Sequence, residues 1–481
     1  MPLTAAYKPD PRFAKLGREF ADPVEPARFP SHRLRYRNQR WAERIGLGAL
    51  TPTEWEDSFA RFLPMPDNQL APLAMRYHGH QFRVYNPDLG DGRGFLYAQL
   101  RDDAGRLLDL GTKGSGKTPY SRTADGRLTL KGGVREVLAA ERLEALGVYT
   151  SKAFSLYETG ESLHRHDEPS PTRASVLTRL SHAHIRIGTF QRLAFFERAD
   201  LMRVLIDHVV ESYFPELAAV GAESRPAAML GRATQELARL AASWMAAGFV
   251  HGVLNTDNLT LTGESFDYGP WRFLPVSDPA FTAAYFDETG LYCFGRQPEA
   301  VSWALAQLGG ALTLVAPADA LEAALSRFAP AYQDALCAHM LARLGLKSKD
   351  GEADLGFLQD VFGWMTHSRI PWDQFFHDWF CGEASAERAR SGPAGALYAA
   401  PEFAPVRAGL GARDPDRPER LAHEYFQRAT PDTLLIDDVE TLWAPIAERD
   451  DWSLLADKLK GIETQRLALA IDCHRSVTNE S

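Results

Sequence analysis

Residues 251–269, HGVLNTDNLTLTGESFDYG, set two polar clusters on either side of an apolar-leaning spacer. The first is His251-Gly252-Val253-Leu254-Asn255-Thr256-Asp257-Asn258, and the second is Asp267-Tyr268-Gly269. Taken singly, Asn-Thr-Asp-Asn is good turn and capping chemistry. Taken together, Asn258 and Asp267 supply the hard oxygen donors that magnesium prefers, and the two clusters point to a magnesium site. Any fold for this chain must bring them to one place.

The spacing has a parallel in protein kinases, where H-R-D-L-x-x-x-N and a later D-F-G hold magnesium on the phosphates of ATP. His251 and Asn258 stand seven apart, as in that pattern, and Asp267-Tyr268-Gly269 takes the place of D-F-G. The catalytic Asp of the kinase pattern is Val253 here, which cannot accept a proton. Asp257, beside the metal Asn, is the nearest replacement base.

At 481 residues the chain has room for about three domains of typical size. Its 45% hydrophobic and 24% charged content are those of an ordinary globular protein. A formal charge of −10 argues against a general nucleic-acid binder. The first twenty residues have no apolar core of a secretory signal, and no run of about eighteen apolar residues suggests a membrane span. Cys293, Cys337, Cys381 and Cys473 are widely spaced without a C-x-x-C pair, which suits a reducing compartment and a cytoplasmic location.

Residues 1–50 read as an extended arm with a short helix at 38–45. Thr51-Pro52-Thr53-Glu54 reads as a helix start, with Thr51 as cap. Strand patterns at 94–100 and 106–113 flank the turn Asp102-Asp103-Ala104-Gly105. Apolar spacing predicts a helix over 134–146, ended by Gly147. Strand composition returns at 152–157 and 175–180. Helical repeats follow at 191–214, 227–247, 297–314 and 321–344, with shorter helices at 355–364 and 372–380. The Ala-, Gly-, Pro- and Arg-rich stretch 384–417 reads as a mobile connection.

Gly90-Asp91-Gly92-Arg93-Gly94 offers close backbone approach to a phosphate, with Arg93 as a bidentate donor. Lys113 ends the next strand and Glu136 lies on the following helix, the pairing a kinase uses to hold phosphates. Residues 111–118 match G-x-x-x-x-G-K-[ST], but Pro119 to Gly126 cannot sustain the helix a true P-loop requires. A cationic glycine-rich flap using Lys113, Asp125 and Gly126 fits better. Arg179 and Arg186, seven apart, are placed to reach phosphates. Three His-x-His pairs, His78/His80, His164/His166 and His182/His184, lack a matching third metal ligand in the sequence.

These motifs together (LGDGRG at 89–94, the run 108–148, LTRLSHAHIRIGTFQ at 177–191, GFVHGVLNTDNLTL at 248–261, FDYGP at 266–270 and FGRQPEAVSWALAQL at 294–308) resemble selenoprotein O, or SelO, a family of kinase-fold pseudokinases that act as protein adenylyltransferases. The resemblance implies an α+β, protein-kinase-like bilobal fold. It would comprise an N-terminal extension (1–75), a mixed β-sheet N-lobe (76–190), a largely helical C-lobe (191–383), a linker (384–417) and a C-terminal helical extension (418–481). It also implies ATP bound in a flipped orientation, with AMP passed to Ser, Thr or Tyr hydroxyls of proteins, the chain itself included, and pyrophosphate released. Gly90, Gly92, Arg93, Lys113, Asp125, Gly126, Arg179 and Arg186 would bind ATP, and Glu136 would orient Lys113. Asn258 and Asp267 would hold magnesium or manganese, and Asp257 would be the base. The stretch 78–88 is bulkier than the glycine-rich family version, which implies a different roof over the nucleotide. The family segment V-L-R-N-Y-L and a redox residue near the C-terminus have no counterpart. A kinase-like phosphotransferase and a non-catalytic ATP-binding scaffold are the competing classes.

Overall fold

The computed structural model describes residues 3–166 and 168–472. Cys473 and the polar tail after it lie outside the described residues. The fold is mixed α+β, with the strands concentrated in the first 181 residues and helices dominating thereafter.

In chain order the strands of the first part are β1 (Ala21–Pro23), β2 (Arg33–Arg37), β3 (Leu73–Met75), β4 (Gly79–Gln81), β5 (Val84–Asn86), β6 (Leu96–Arg101), β7 (Leu107–Lys113), β8 (Leu128–Thr129), β9 (Lys152–Leu163) and β10 (Thr172–Ser181). The main sheet runs β1-β3-β6-β7-β10-β9-β2, with β8 pairing β10, while β4 and β5 form a separate hairpin. All these pairings are antiparallel. The predicted turn at Asp102–Gly105 forms, because Asp102 accepts from the Ala104 and Arg106 N–H groups and Gly105 adopts φ 79°.

The N-terminal stretch, expected as an extension, supplies β1, β2 and β3 to this sheet. It also covers one sheet face with α1 (Gln39–Arg44), capped by Asn38, and α2 (Pro52–Phe59). Thr51 and Glu54 form the anticipated reciprocal capping box. Trp41, Trp55 and Phe59 pack there with Phe154 and Val176 of the sheet. The opposite face carries α3 (Leu130–Ala145), which begins four residues before the predicted start because Thr129 caps it by accepting from the Gly132 N–H.

Helices α4 (Ile187–Phe195) and α5 (Ala199–Tyr213) replace the single predicted helix 191–214, which breaks at Glu197, φ 53°. They are followed by α6 (Arg225–Ala247), α7 (Gln297–Leu312), α8 (Ala318–Leu325) and α9 (Phe328–Leu344). Between α6 and α7, the two-residue strands β11 (Phe249–Val250) and β12 (Arg272–Phe273) pair antiparallel. They close residues 251–271 into an excursion anchored at both ends. The stretch 384–417, expected to be mobile, instead holds helices Ala386–Ser391, Gly395–Tyr398 and Ala404–Gly411, with Ala389, Tyr398, Phe403, Val406 and Leu410 buried. Among the described residues, no helix is long and apolar enough to cross a membrane.

Helix α3 is tied to the helical part by a buried ion cluster. Asp373 accepts from Arg142 Nη2 at 2.9 Å and from Arg343 Nη2 at 3.2 Å, and Arg142 also donates to Gln465 of the last helix. Removing one partner of a buried pair leaves a charge without compensation. Asp373→Ala, which strands two guanidiniums, is expected to cost about 3–5 kcal/mol in unfolding free energy. A denaturant titration comparing midpoints checks this.

Candidate active site

The site forms where the sheet meets the 251–271 excursion. Lys113 ends β7 opposite Leu177 of β10, so Arg179, two residues along, projects from the same sheet face. That face also receives α3, which brings Glu136 under the lysine. Lys113 Nζ lies 2.5 Å from Glu136 Oε1 and 2.6 Å from Asp267 Oδ1, and Arg179 Nη1 lies 3.2 Å from the same Asp267 oxygen. Burial raises the Asp267 pKa, but Lys113, Arg179 and Arg93 outweigh it and hold the carboxyl well below the usual range. Asp267 is therefore an anion ringed by cations, and its side chain is still 27% exposed.

Asp267 sits at φ 62°, a left-handed conformation that Asp tolerates better than most residues. The His251 ring helps impose it by donating from Nε2 to the Phe266 carbonyl at 2.9 Å. Burial lowers the His251 pKa and favours the neutral ring, which suits this structural role. Tyr268, next in the chain, is buried with its hydroxyl on Thr150.

Arg186 forms a second cationic arm. Its Nη1 lies 3.2 Å from Asp91 Oδ1, and its guanidinium stacks 4.4 Å from the Tyr77 ring centroid. Phe266 lies beneath both arginines, 5.6 Å from Arg179 and 5.3 Å from Arg186. Asp91 and Tyr77 escaped sequence reasoning. A carboxylate inside a supposed phosphate loop was the available signal for Asp91.

Asp257 lies on the short turn Thr256–Asn258. Burial pushes its pKa up to about 6, against the opposing pull of Arg186 and, more weakly, flap residue Arg122. Asp257 Oδ1 is the single buried carboxylate oxygen without a hydrogen-bond partner among the described residues. Beside it, the Asn258 amide nitrogen donates to the Val253 carbonyl at 3.0 Å, so the amide oxygen remains as an acceptor. An Asn oxygen and an anionic Asp oxygen suit a hard divalent cation better than a soft one. Among the described residues, no group of three or more His, Cys, Asp and Glu could hold a metal by itself, so a cation here would also need ligands from its substrate or water.

The bulky stretch 78–88 is built against this turn. His80 N–H donates to Thr256 Oγ1 at 2.7 Å, and Phe82 N–H donates to Asn255 Oδ1 at 3.0 Å. Thr256 in turn donates to Gln191 Oε1, and Gln191 Nε2 donates to His80 Nδ1, both at 2.7 Å. This closes a ring that fixes the residue before Asp257. His80 is thus engaged with Gln191, His78 with Tyr85 and His184 with Asp109.

Residues 114–127 carry no helix after Thr118, so the P-loop geometry is not built. Thr118 and Ser121 hydroxyls donate to the Asp91 and Gly92 carbonyls at 2.5 Å each, which fastens the flap to the glycine loop. A Cβ on Gly90 would come within 2.3 Å of the Tyr120 ring, and one on Gly126 within 2.3 Å of the Gly116 carbonyl. Both glycines permit the flap to pack onto its neighbours. Asp125 faces Arg165, at 2.8 Å, rather than the Lys113 cluster, and Arg93 is exposed.

Residues 3–463 match the family described as "Protein adenylyltransferase SelO". A protein from Synechococcus elongatus named "Protein nucleotidyltransferase YdiU" is 44% identical over 474 residues, covering 94% of each chain. A protein of that name from Synechocystis is 50% identical over 345 residues, covering 71% of this chain and 72% of its own. One from Myxococcus xanthus is 36% identical over 464 residues, covering 94% of this chain and 92% of its own. The chain belongs to the SelO family of protein adenylyltransferases.

Proposed function

We propose that this chain moves AMP from ATP to Ser, Thr or Tyr hydroxyls of proteins and releases pyrophosphate. The observation that carries the reading is a cluster of buried cations beside a carboxylate oxygen with no hydrogen-bond partner. Lys113 and Arg179 hold Asp267, and Arg186 pairs with Asp91 while its charge also acts on Asp257, whose Oδ1 is partnerless.

In this reading the β- and γ-phosphates lie toward the cations and the α-phosphate faces Asp257, so the nucleotide is flipped relative to a kinase. The acceptor oxygen attacks the α-phosphorus, the bond from that phosphorus to the α–β bridging oxygen breaks, and pyrophosphate leaves. The acceptor proton passes to Asp257, whose raised pKa makes it a better base than a solvated carboxylate while leaving it ionised at neutral pH. Charge that grows on the leaving group is met by side chains already held in place, which stabilises the transition state with little reorganisation.

Asn258 and Asp267 would hold magnesium, or manganese in its place. When bound, the cation would neutralise phosphate charge. Glu136 keeps Lys113 aimed into the cleft. Arg93, Gly90, Gly92 and Gly126 would line the approach to the nucleotide, and Asp125 would act from the flap through its pair with Arg165. The division into a sheet-bearing and a helical part, with the site between them, fits a bilobal kinase-like architecture. Buried, free Cys293, Cys337 and Cys381 fit a reducing, cytoplasmic setting.

Mass spectrometry after incubation with ATP and magnesium tests the reading. AMP esterified to a Ser, Thr or Tyr side chain, with equimolar pyrophosphate, is the expected product. Phosphate esters with ADP as by-product would contradict it.

A further inference from the structure

Among the described residues, every large aromatic side chain that is strongly exposed lies in one belt beside the Asp257 turn. Tyr285 is 83% exposed, Phe195 54%, Phe196 52% and Phe286 47%. The belt has two aromatic clusters, one on each side of the β4–β5 hairpin. Tyr285 and Phe286 have centroids 5.1 Å apart, and Phe286 meets Phe82 at 5.8 Å. The β4–β5 hairpin then leads from Phe82 to Tyr85, which stacks on Phe195 at 5.6 Å, and Phe195 meets Phe196 at 5.1 Å. Val84, at the hairpin tip, is 70% exposed. Apolar surface clustered in this way marks a place where another molecule binds.

Two further observations tie the belt to the reaction. The hairpin is clamped onto Asn255 and Thr256, and a Cβ on Gly79 would lie 3.3 Å from Asp257 Oδ1. The Phe82 end of the belt therefore adjoins the turn that carries Asp257. The hairpin corner also holds Phe82 at φ 48° and Arg83 at φ 64°. A two-residue turn with both φ positive favours Asn-Gly, so Phe-Arg is a costly choice retained for its side chains. Phe82 packs between Tyr292 and Phe286, and Arg83 pairs with Glu299 at 2.9 Å while lying over Trp303. The corner thus locks the hairpin against the helical part and presents Val84 outward.

We propose that this belt is the docking surface for the acceptor protein, and that it selects acceptors with apolar side chains close to the modified hydroxyl. The proposal rests on the adenylyl-transfer reading above. The adjacency of the belt to the Asp257 turn favours an acceptor over a second copy of the chain or a membrane surface.

The test uses two fluorescein-labelled peptides, a central Ser flanked by Leu and Phe in one and by Gly and Gln in the other. Binding to the full chain with ATP and magnesium is read by anisotropy. The apolar peptide is expected to bind about tenfold tighter than the polar one. Tyr285→Ser and Val84→Asp are each expected to abolish that preference with ATP affinity and melting temperature unchanged, since both side chains are solvent-facing. Equal binding of the two peptides, or a preference that survives in both variants, overturns the docking surface. A bound apolar peptide that acquires no AMP contradicts the adenylyl-transfer reading instead, so the two failures are told apart.

Discussion

Asp257→Ala is expected to lower the rate of AMP transfer by about 10²–10⁴-fold, the range for loss of a general base, while ATP affinity stays within a small factor. The argument begins with Val253, whose apolar side chain cannot take a proton at the position where kinases carry their base. Asp257 is positioned chiefly through its neighbours. Thr256 is fixed by His80 and Gln191, Asn255 by Phe82 and Tyr292, and Asn258 by the Val253 carbonyl. The carboxylate is thereby positioned with one oxygen unspent. Because that oxygen supports no internal hydrogen bond, its removal should leave the fold intact. A single-turnover rate with saturating ATP, beside a direct ATP titration, separates the two effects. Full transfer activity in the variant would remove Asp257 from the reaction.

Asp267→Asn is the second large effect, and it should act on both metal affinity and rate. The substitution keeps a side chain that tolerates φ 62° and removes only the charge. Lys113 then retains Glu136 alone, and Arg179 loses its carboxylate partner. The proposed anionic ligand to a divalent cation is lost while the excess positive charge around Lys113 and Arg179 rises. Several kcal/mol of charge stabilisation is at stake, so a fall of at least roughly 10²–10³-fold is expected at about 1.4 kcal/mol per tenfold. Raising magnesium should recover part of the rate, because weaker cation binding is one component. Magnesium titrations of the two chains measure this. An unchanged rate at low magnesium would show that Asp267 holds no cation.

The parts of this site that were legible in the sequence share a physical character. Lys113 and Glu136 were readable because a strand end and a helix face are periodic features, and the turn at Asp102–Gly105 fixes the strand register before them. Asn258 and Asp267 draw attention in the sequence because polar clusters stand out against an apolar spacer, but the contact of Asp267 with Lys113 and Arg179 is long-range. What stayed hidden depends on long-range packing. Strands β1 and β3 are three residues long and too short for alternation to register. The hairpin corner at Phe82-Arg83 violates turn propensity, so no local rule could find it. The helices within 384–417 are short, and tertiary burial of Tyr398, Phe403 and Leu410 overrides a composition that favours loops. The Asp91–Arg186 pair joins residues far apart in the chain, which spacing alone cannot reveal.

The most direct measurement of the central claim is incubation of the purified chain and an acceptor with magnesium and ATP labelled at either the α or the γ phosphate. The account predicts covalent label on protein from α-labelled ATP and none from γ-labelled ATP, since the leaving pyrophosphate carries the γ position away. Label retained from γ-labelled ATP would mean that the nucleotide sits as in a kinase, and would contradict the account.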